Sequence, residues 1–262
     1  MTGSVRDLLR YRFLFEQMVR RELRQKYQGS ILGVAWYIVN PLVLMGAYYF
    51  LFGRVFKVAS HDDYPLFLMV GLVVWIFFNQ AVLGAAPSLL DQGSLIRKAR
   101  FPRETIPAAS VTVQFVIFLV VLGLVAAATF VVRGTVGTSL LLLPVVLVAL
   151  FAFVLGFALA VSVLHAFFRD VAPILGAVLL PWFFLSPIFF EPSDITSSSA
   201  EKAILTWVNP VAPFIEAVRS IVYDGDWPGG DTLLYVLAAS VVAFVGGQVV
   251  FRRLQRELAV VV

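Results

Sequence analysis

The chain has 262 residues, of which 60% are hydrophobic and 14% are charged, with a mean hydropathy of +0.92 and a formal net charge of +4 at pH 7. Soluble domains are about half apolar and about a quarter charged, so this composition excludes a soluble domain and predicts a polytopic membrane protein. Without cysteine there are no disulfides or thiolate metal sites. The two histidines, His61 and His165, lack ligand spacing, so no metal site is predicted.

The N-terminal residues 4–28 alternate cations with apolar side chains. The apolar positions that follow helical spacing are Leu8, Tyr11, Phe15 and Met18. This pattern predicts an amphipathic helix within residues 1–30, lying where cations meet anionic head groups. A solvated basic arm is the alternative.

Six segments are long and apolar enough to cross a bilayer as helices, which takes about 20 residues each. They are residues 31–53, 65–88, 108–132, 139–165, 171–190 and 231–251. The predicted fold is therefore all-α, a single transmembrane domain over residues 1–262. An outer segment, 191–230, precedes the sixth span, and a tail, 252–262, follows it.

The distribution of basic residues predicts the orientation of these spans. Fifteen of the 20 cations fall on one side of the membrane, together with both termini. Basic residues concentrate in cytoplasmic segments, so both termini are expected to be cytoplasmic. The basic pI therefore reflects topology and does not indicate nucleic-acid binding.

Aromatic residues form a stripe along the first span. Its members recur at three- and four-residue intervals on one helix face: Tyr37, Pro41, Leu44, Tyr48 and Phe52. Such a stripe is typical of an interfacial belt or of a pore lining, and the sequence leaves both open. Pro41 is expected to kink the helix unless it lies in the first turn.

The fifth predicted span contains Pro173, Pro181 and Pro187, with Trp182-Phe183-Phe184 directly after the middle proline. A broken helix at membrane depth is tolerated where it is buried in protein or lines a water-filled cavity. We therefore expect this span to be broken.

Small residues recur every four positions in the fourth and sixth spans. They are Ala152, Gly156 and Ala160 in one, and Ala239, Ala243 and Gly247 in the other. This spacing predicts close helix packing.

The outer segment is expected to hold two short helices, one ending near Val208 and one running from about Pro213 to Tyr223. Asn209-Pro210 separates them. Both contain charges, so neither can span, and they either lie at the outer interface or dip into it as a hinged pair.

Residues 95–107 carry four cations, one carboxylate and two prolines between two apolar spans. This segment is too basic for lipid and too short for a domain, which indicates a docking element. No GxxxxGK[ST] phosphate loop occurs, so driven transport would need energy from another polypeptide. The span centres lack charges, which argues against an ion-coupled transporter.

Several ordered segments resemble one family. Residues 21–41 are similar to the N-terminal signature of the membrane (permease) subunits of type-2 polysaccharide ABC exporters, the Wzm/TarG type. Residues 95–107 resemble that family's connection between the second and third spans. Further similar pieces are Phe168-Arg169-Asp170, Ser186-Pro187, and Asn209-Pro210 followed by Glu216 and Arg219.

The resemblance implies a six-span subunit of the bacterial inner membrane that forms a homodimer and binds two copies of a separate ATPase subunit. ATP and Mg²⁺ would bind to that partner, so this chain would hold no cofactor and would not itself be an enzyme. The cargo would be a lipid-linked polysaccharide such as O-antigen, teichoic acid or galactan, moved through an aromatic-lined channel.

The resemblance also assigns roles to residues. The residues expected to contact the ATPase are Arg97, Lys98, Arg100, Phe101, Pro102, Arg103, Glu104, Arg169 and Asp170. The aromatic residues expected to line the channel are Trp36, Tyr37, Tyr48, Tyr49, Phe52, Trp182, Phe183 and Phe184. The residues expected at an outer gate are Asn209, Pro210, Phe214, Glu216 and Arg219.

Alternatives remain open at this stage. Arg103 and Glu104 could pair locally or with head groups instead of with the ATPase. The closest rival function is a type-2 ABC exporter of a drug or lipid. A membrane-embedded glycan-processing enzyme would need the outer carboxylates, which are Glu191, Asp194, Glu216 and Asp224.

Overall fold

The computed structural model describes residues 5–25, 33–55, 63–98, 101–134, 137–191, 198, 201, 203–255 and 257. Within these ranges the regular secondary structure is entirely helical, which confirms the predicted all-α class. Arg100 and Asp194 lie outside the described residues, as does the side chain of Tyr37.

Ten α-helices are assigned in the described ranges: α1 (Val5–Gln25), α2 (Trp36–Tyr48), α3 (Tyr64–Ala85), α4 (Ser88–Asp91), α5 (Gly93–Lys98), α6 (Thr105–Arg133), α7 (Leu143–Phe167), α8 (Val171–Leu185), α9 (Ala212–Arg219) and α10 (Gly230–Leu254). Two of them continue as π-helix, α2 through Tyr49–Val55 and α9 through Ser220–Asp224. A further π-helical turn covers Ile204–Val208.

Five helical stretches are long and apolar enough to cross a membrane. They are Ile38–Val55, Tyr64–Ala85, Thr105–Arg133, Thr138–Phe167 and Gly230–Leu254. Each overlaps one of the predicted spans, so these five predictions are confirmed as membrane-capable helices. Pro41 lies inside α2, past its first turn.

The fifth predicted span is shorter than expected. Its helix, α8, has 15 residues, which at about 1.5 Å per residue covers roughly 22 Å of a hydrocarbon core about 30 Å thick. Pro181 is accommodated inside the helix, and the break comes after Leu185. Ser186 adopts φ −86° and ψ 142° because the residue before a proline, here Pro187, is pushed out of the helical region.

Helix α3 forms the centre of the core, packed against α6, α7 and α9. In its apolar window 72% of the residues are buried, whereas the corresponding figure for the α2 stretch is 6%. A helix that is apolar on all sides is stable when it is buried, and α3 is surrounded by other helices of the same chain. The α2 stretch is less hydrophobic, with a mean hydropathy of 1.4 against 2.2 for α3, and most of it is not covered by this chain.

The predicted close packing of the fourth and sixth spans is confirmed. A Cβ atom at Gly156 would collide with the carbonyl oxygen of Ala243, and one at Gly247 would collide with the carbonyl oxygen of Gly156. Only glycine permits this approach of the α7 and α10 backbones. Ser240 adds a hydrogen bond from its Oγ to the carbonyl oxygen of Ala149 at 2.8 Å.

Residues at the termini of the long helices contact each other at two opposite ends of the molecule. At one end Arg103 Nη1 donates to the carbonyl oxygen of Gln255 at 2.7 Å, so the 95–107 segment meets the end of α10. At the other end Arg133 Nη1 lies 3.3 Å from Asp63 Oδ2. This grouping matches the sequence-based division, and the two ends are called the inner and the outer end below.

Candidate functional site

Aromatic rings from α2 and its π-helical extension meet rings that follow α8. Phe52 stacks on Phe189 with ring centroids 4.3 Å apart, and Tyr48 packs edge-on to Phe189 at 5.1 Å. Tyr48 also lies 5.4 Å from Phe183. Phe189 contacts several rings of this cluster. The sequence analysis missed it, although it lies within the predicted span 171–190, because only the aromatics directly after Pro181 were singled out.

The predicted channel aromatics divide by exposure. Trp36 and Phe184 are 50% and 48% exposed, whereas Phe183 is 6% exposed. Tyr49 is half-buried, with Arg54 Cζ 5.9 Å from its ring centroid. In the isolated chain, the exposed rings are placed to face a ligand or a partner, and Phe183 packs in the interior.

A groove of about 400 Å³ runs between α2, α3 and α8. Side-chain amides from two helices line it beside the aromatic rings: Asn40, Asn79 and Gln80. A smaller adjoining pocket is lined by Trp36 and by a further amide, that of Gln114. The groove therefore combines uncharged hydrogen-bonding groups with aromatic faces.

Sequence reasoning overlooked these four amides because it searched the spans only for charges. An amide offers two donors and one acceptor oxygen without a fixed charge, which suits hydroxyl-rich ligands. Polar residues inside apolar helices usually face a cavity or another helix, and that signal could have found them.

The side chain of Asn209 links two helix interruptions, the one after α8 and the one before α9. Its Oδ1 accepts hydrogen bonds from Trp182 Nε1 at 2.9 Å and from the backbone N–H of Val211 at 3.1 Å. Its Nδ2 donates to Ser186 Oγ at 2.9 Å. Ser186 and Asn209 each precede a proline. The hydrogen bonds of the buried Asn209 amide therefore hold the end of α8 against the segment before α9.

Replacing Trp182 by Phe is expected to lower the melting temperature of the detergent-solubilised protein. The change removes one buried hydrogen bond to Asn209, worth about 0.5–1.5 kcal/mol. The matched control is Trp227→Phe, because Trp227 Nε1 also donates a hydrogen bond, to Thr138 Oγ1 at 3.2 Å, but its side chain is exposed. Equal melting shifts in the two variants would contradict a stabilising role for the Asn209 contact.

Arg219 is buried in the interior, where α9 packs against α3. Its two η nitrogens donate to the carbonyl oxygens of Pro187 and Ile188 at 2.9 and 3.1 Å. Its Cζ lies 3.7 Å from the ring centroid of Phe67. Burial lowers the pKa of the guanidinium to about 10, so the group stays protonated at neutral pH.

Two further outer-gate residues, Phe214 and Glu216, share the helix of this arginine. Phe214 is fully buried, and Glu216 Oε1 accepts a hydrogen bond from Thr232 Oγ1 at 3.2 Å. Burial raises the pKa of the Glu216 carboxyl above its ordinary value. Helix α9 and its π-helical continuation cover residues 212–224, the region where the second outer helix was predicted, and they pack mainly against α3 in the protein interior.

The predicted docking residues gather at the inner end. A small core formed by α4, α5, α6, α7 and α10 brings residues 95–107 close to the 168–170 corner. Arg97 and Lys98 are exposed at the end of α5, and Arg169 and Asp170 are exposed at the corner. Phe101 packs partly against this core, and Pro102 is half-buried.

Arg103 and Glu104, two of the predicted docking residues, contact the end of α10. Arg103 donates to the Gln255 carbonyl, and Glu104 Oε1 lies 3.7 Å from Arg252 Nε. Both contacts lie within the chain, but they reach residues of α10 that are distant in sequence, so the two side chains pair neither with each other nor with immediate neighbours. Among the described cations of this segment, Arg97 and Lys98 are exposed.

The profile of the ABC-2 type transporter family matches residues 14–223. The chain belongs to this membrane family. The match runs from α1 to the π-helical end of α9, so every residue singled out above in the docking, aromatic and gate groups falls within it. The family resemblance drawn from the sequence is confirmed.

Individual relatives of this ABC-2 chain are named as O-antigen export permeases and as a polysialic acid transport protein. The O-antigen export system permease protein RfbA of Myxococcus xanthus is 31% identical over 259 residues, which cover 99% of both chains. An RfbA of Klebsiella pneumoniae is 29% identical over 217 residues, 81% of this chain and 82% of the relative. The polysialic acid transport protein KpsM of Escherichia coli is 25% identical over 247 residues, 90% and 92% of the two chains.

Proposed function

We propose that this chain is the permease subunit of an ATP-driven exporter that moves a lipid-linked polysaccharide across the bacterial inner membrane. The observation that carries the proposal is the uncharged groove of amides and aromatic rings between α2, α3 and α8. Aromatic faces and amides suit sugar rings, and without fixed charges each contact stays weak enough for a long chain to slide. The names of the relatives, an O-antigen export permease and a polysialic acid transport protein, support the same cargo class.

A second copy of the chain completes the channel in this proposal. Two of the three helices that border the groove, α2 and α8, have exposed apolar side chains. The exposed fractions are 50 to 65% for Trp36 of α2 and for Ile174, Leu180 and Leu185 of α8. A homodimer that pairs these surfaces would cover the apolar residues and enclose the groove. Tyr48, Phe52 and Phe184 would then lie at or near its wall, with Tyr49 behind them.

The topology proposed here has six membrane passes, with α8 as the fifth. Because α8 is short, the chain would reach the outer surface through the loop at Ser186-Pro187. The buried α9 would lie within the protein near the outer end without making a further pass, and α10 would be the sixth pass. Both termini would be cytoplasmic. The outer-gate role of Asn209, Pro210, Phe214, Glu216 and Arg219 rests on their position beside that loop.

An ATPase subunit, which would bind ATP and Mg²⁺, docks on the inner end in this proposal. Arg97, Lys98, Arg169 and Asp170 present exposed charges there. Arg100, Phe101 and Pro102 belong to the same segment, whereas Arg103 and Glu104 would act by holding the segment against the end of α10.

The groove is tested by the double variant Asn40→Leu/Gln80→Leu, which keeps the side-chain size but removes the amides. We expect surface glycan to fall by roughly 30-fold in cells whose only copy of the permease is the variant, since two hydrogen-bonding groups worth about 1 kcal/mol each are lost. The matched control is Asn40→Gln/Gln80→Asn, which keeps both amides. Surface glycan is measured by immunoblotting, and assembly by co-purification with the ATPase.

Normal glycan export in the leucine variant would contradict the groove as the glycan path. If glycan export stays normal while resistance to a drug changes, the rival exporter of small cargo is favoured. The described outer carboxylates give no support to a glycan-processing enzyme. Glu216 accepts a hydrogen bond from Thr232, and the charges of Glu191, Glu216 and Asp224 favour the protonated form of the buried Arg219.

A further inference from the structure

A second pocket lies at the inner end between α1, α6, α7 and α10, and shares no lining residue with the groove. Its volume is about 360 Å³, within the range of roughly 300–1,000 Å³ that is typical of small-molecule sites. Its wall is mainly apolar and extends from the inner end along α7 and α10. The apolar wall residues are Ala108, Phe151, Leu155, Leu159 and Phe244.

Polar side chains occupy the opposite part of the pocket. Arg12 of α1 and Arg252 of α10 line it, together with Glu104. Arg252 Nε lies 3.7 Å from Glu104 Oε1, and the Arg252 side chain is 56% exposed. The two arginines and one carboxylate leave this part of the pocket with a net positive charge.

One buried polar group in the pocket lacks a partner. Gln248 lies one helical turn before Arg252, and its Oε1 is buried without a hydrogen bond to any described residue. Buried amide groups are normally satisfied, so an unsatisfied one indicates a group supplied by a bound molecule. The oxygen and nitrogen of an amide are interchangeable by a flip, so Gln248 is able to offer either an acceptor or a donor here.

We propose that this pocket binds one anionic phospholipid, with an acyl chain along the apolar wall and the phosphate between Arg12 and Arg252. Gln248, one turn deeper than Arg252, would donate its amide to an ester carbonyl of the lipid. The order of charged, amide and apolar groups along α10 matches the order of phosphate, ester and hydrocarbon in a phospholipid. The inference rests on the proposed topology, which makes this end cytoplasmic.

Two other occupants fit the pocket less well. A segment of a cytoplasmic ATPase would have to reach between membrane-capable helices to touch Phe151 and Phe244. The lipid carrier of the transported glycan belongs with the groove between α2, α3 and α8, which is a separate cavity. A resident phospholipid fits both the depth and the charge of the site.

The test is native mass spectrometry of the full-length permease, stripped of lipid in detergent and then supplied with phosphatidylglycerol or phosphatidylcholine. The wild type is expected to retain phosphatidylglycerol preferentially. Arg12→Gln/Arg252→Gln should weaken this retention by about 30-fold, because each cation near a lipid phosphate contributes roughly a factor of five. The matched control is Arg21→Gln/Arg253→Gln, which removes two exposed cations from the same two helices, outside the pocket.

Equal loss in both double variants would reduce the effect to general surface attraction and overturn the proposal. The absence of any lipid preference in the wild type would do the same without relying on a variant. Gln248→Leu should lower retention of both lipids while leaving the preference between them unchanged. If a polyprenyl phosphate is retained in place of phosphatidylglycerol, or if only ATPase binding depends on Arg12 and Arg252, the pocket serves those partners and the proposal is wrong. Lipid retention is measured without export, so it can fail or succeed independently of the proposed function.

Discussion

Replacement of Arg97 and Lys98 by glutamate is expected to abolish co-purification of the permease with its ATPase subunit. Both side chains are exposed at the end of α5, on the inner end where the exposed Arg169 and Asp170 also lie. Reversing charges that pair across an interface costs about 2–5 kcal/mol, which corresponds to a loss in affinity of roughly 30-fold or more for each pair. The measurement is the ratio of ATPase to permease after affinity purification through a tag on the permease.

The control for this experiment is Arg253→Glu, which reverses the charge of one exposed cation. Arg253 lies at the same end of the molecule but outside the docking segment. It should leave the complex intact. Arg103→Glu serves a separate purpose, because it breaks the bond to the Gln255 carbonyl and should lower the melting temperature of the permease alone. An intact complex in the Arg97→Glu/Lys98→Glu variant would place the ATPase contact elsewhere.

Replacement of Arg219 by leucine is expected to be among the most destabilising single changes in this protein. The carbonyl oxygens of Pro187 and Ile188 would lose their donors inside the protein, at a cost of about 1–3 kcal/mol each. Stacking on Phe67 would also be lost, and Glu216 would face a site without its positive charge. We expect a melting temperature lower by several degrees and little surface glycan.

Arg219→Lys should be intermediate, because a lysine ammonium retains the charge but lacks the planar fork that reaches two carbonyls at once. Arg54→Leu is the matched control. Arg54 also belongs to the predicted outer side, but its side chain is exposed and its only described ring contact is with Tyr49 at 5.9 Å. A melting temperature unchanged by Arg219→Leu would show that the loop after α8 is held by other contacts, with the Asn209 bridge as the next candidate.

Local sequence patterns predicted most of the fold. Composition and apolar run length identified the membrane-capable helices, because these depend on the residues of one segment alone. The glycine spacing predicted the contact of α7 with α10, since a missing side chain permits close approach wherever a partner helix exists. The Asn209-Pro210 dipeptide predicted a helix end at this position, through a steric effect within the dipeptide.

The functional site was less predictable, because its geometry depends on residues far apart in the chain. The aromatic stripe could face lipid or a pore, and only the packing showed that Phe183 is buried and that Trp36 and Phe184 are exposed. The length of α8 was overestimated because apolar residues continue past Leu185 even though the helix does not.

The sequence by itself determined that this protein is a helical membrane protein with its basic residues grouped toward one end and a cationic segment between two spans. Those properties follow from transfer free energies and steric preferences that act over a few residues. Tertiary structure alone decided that Arg103 and Glu104 contact the inner end of α10. It also decided that Asn209 links the helix interruptions after α8 and before α9, and that four amides lie beside the aromatic cluster. These contacts join positions up to 152 residues apart, and no local rule selects among the many partners available to a polar group until the helices are packed.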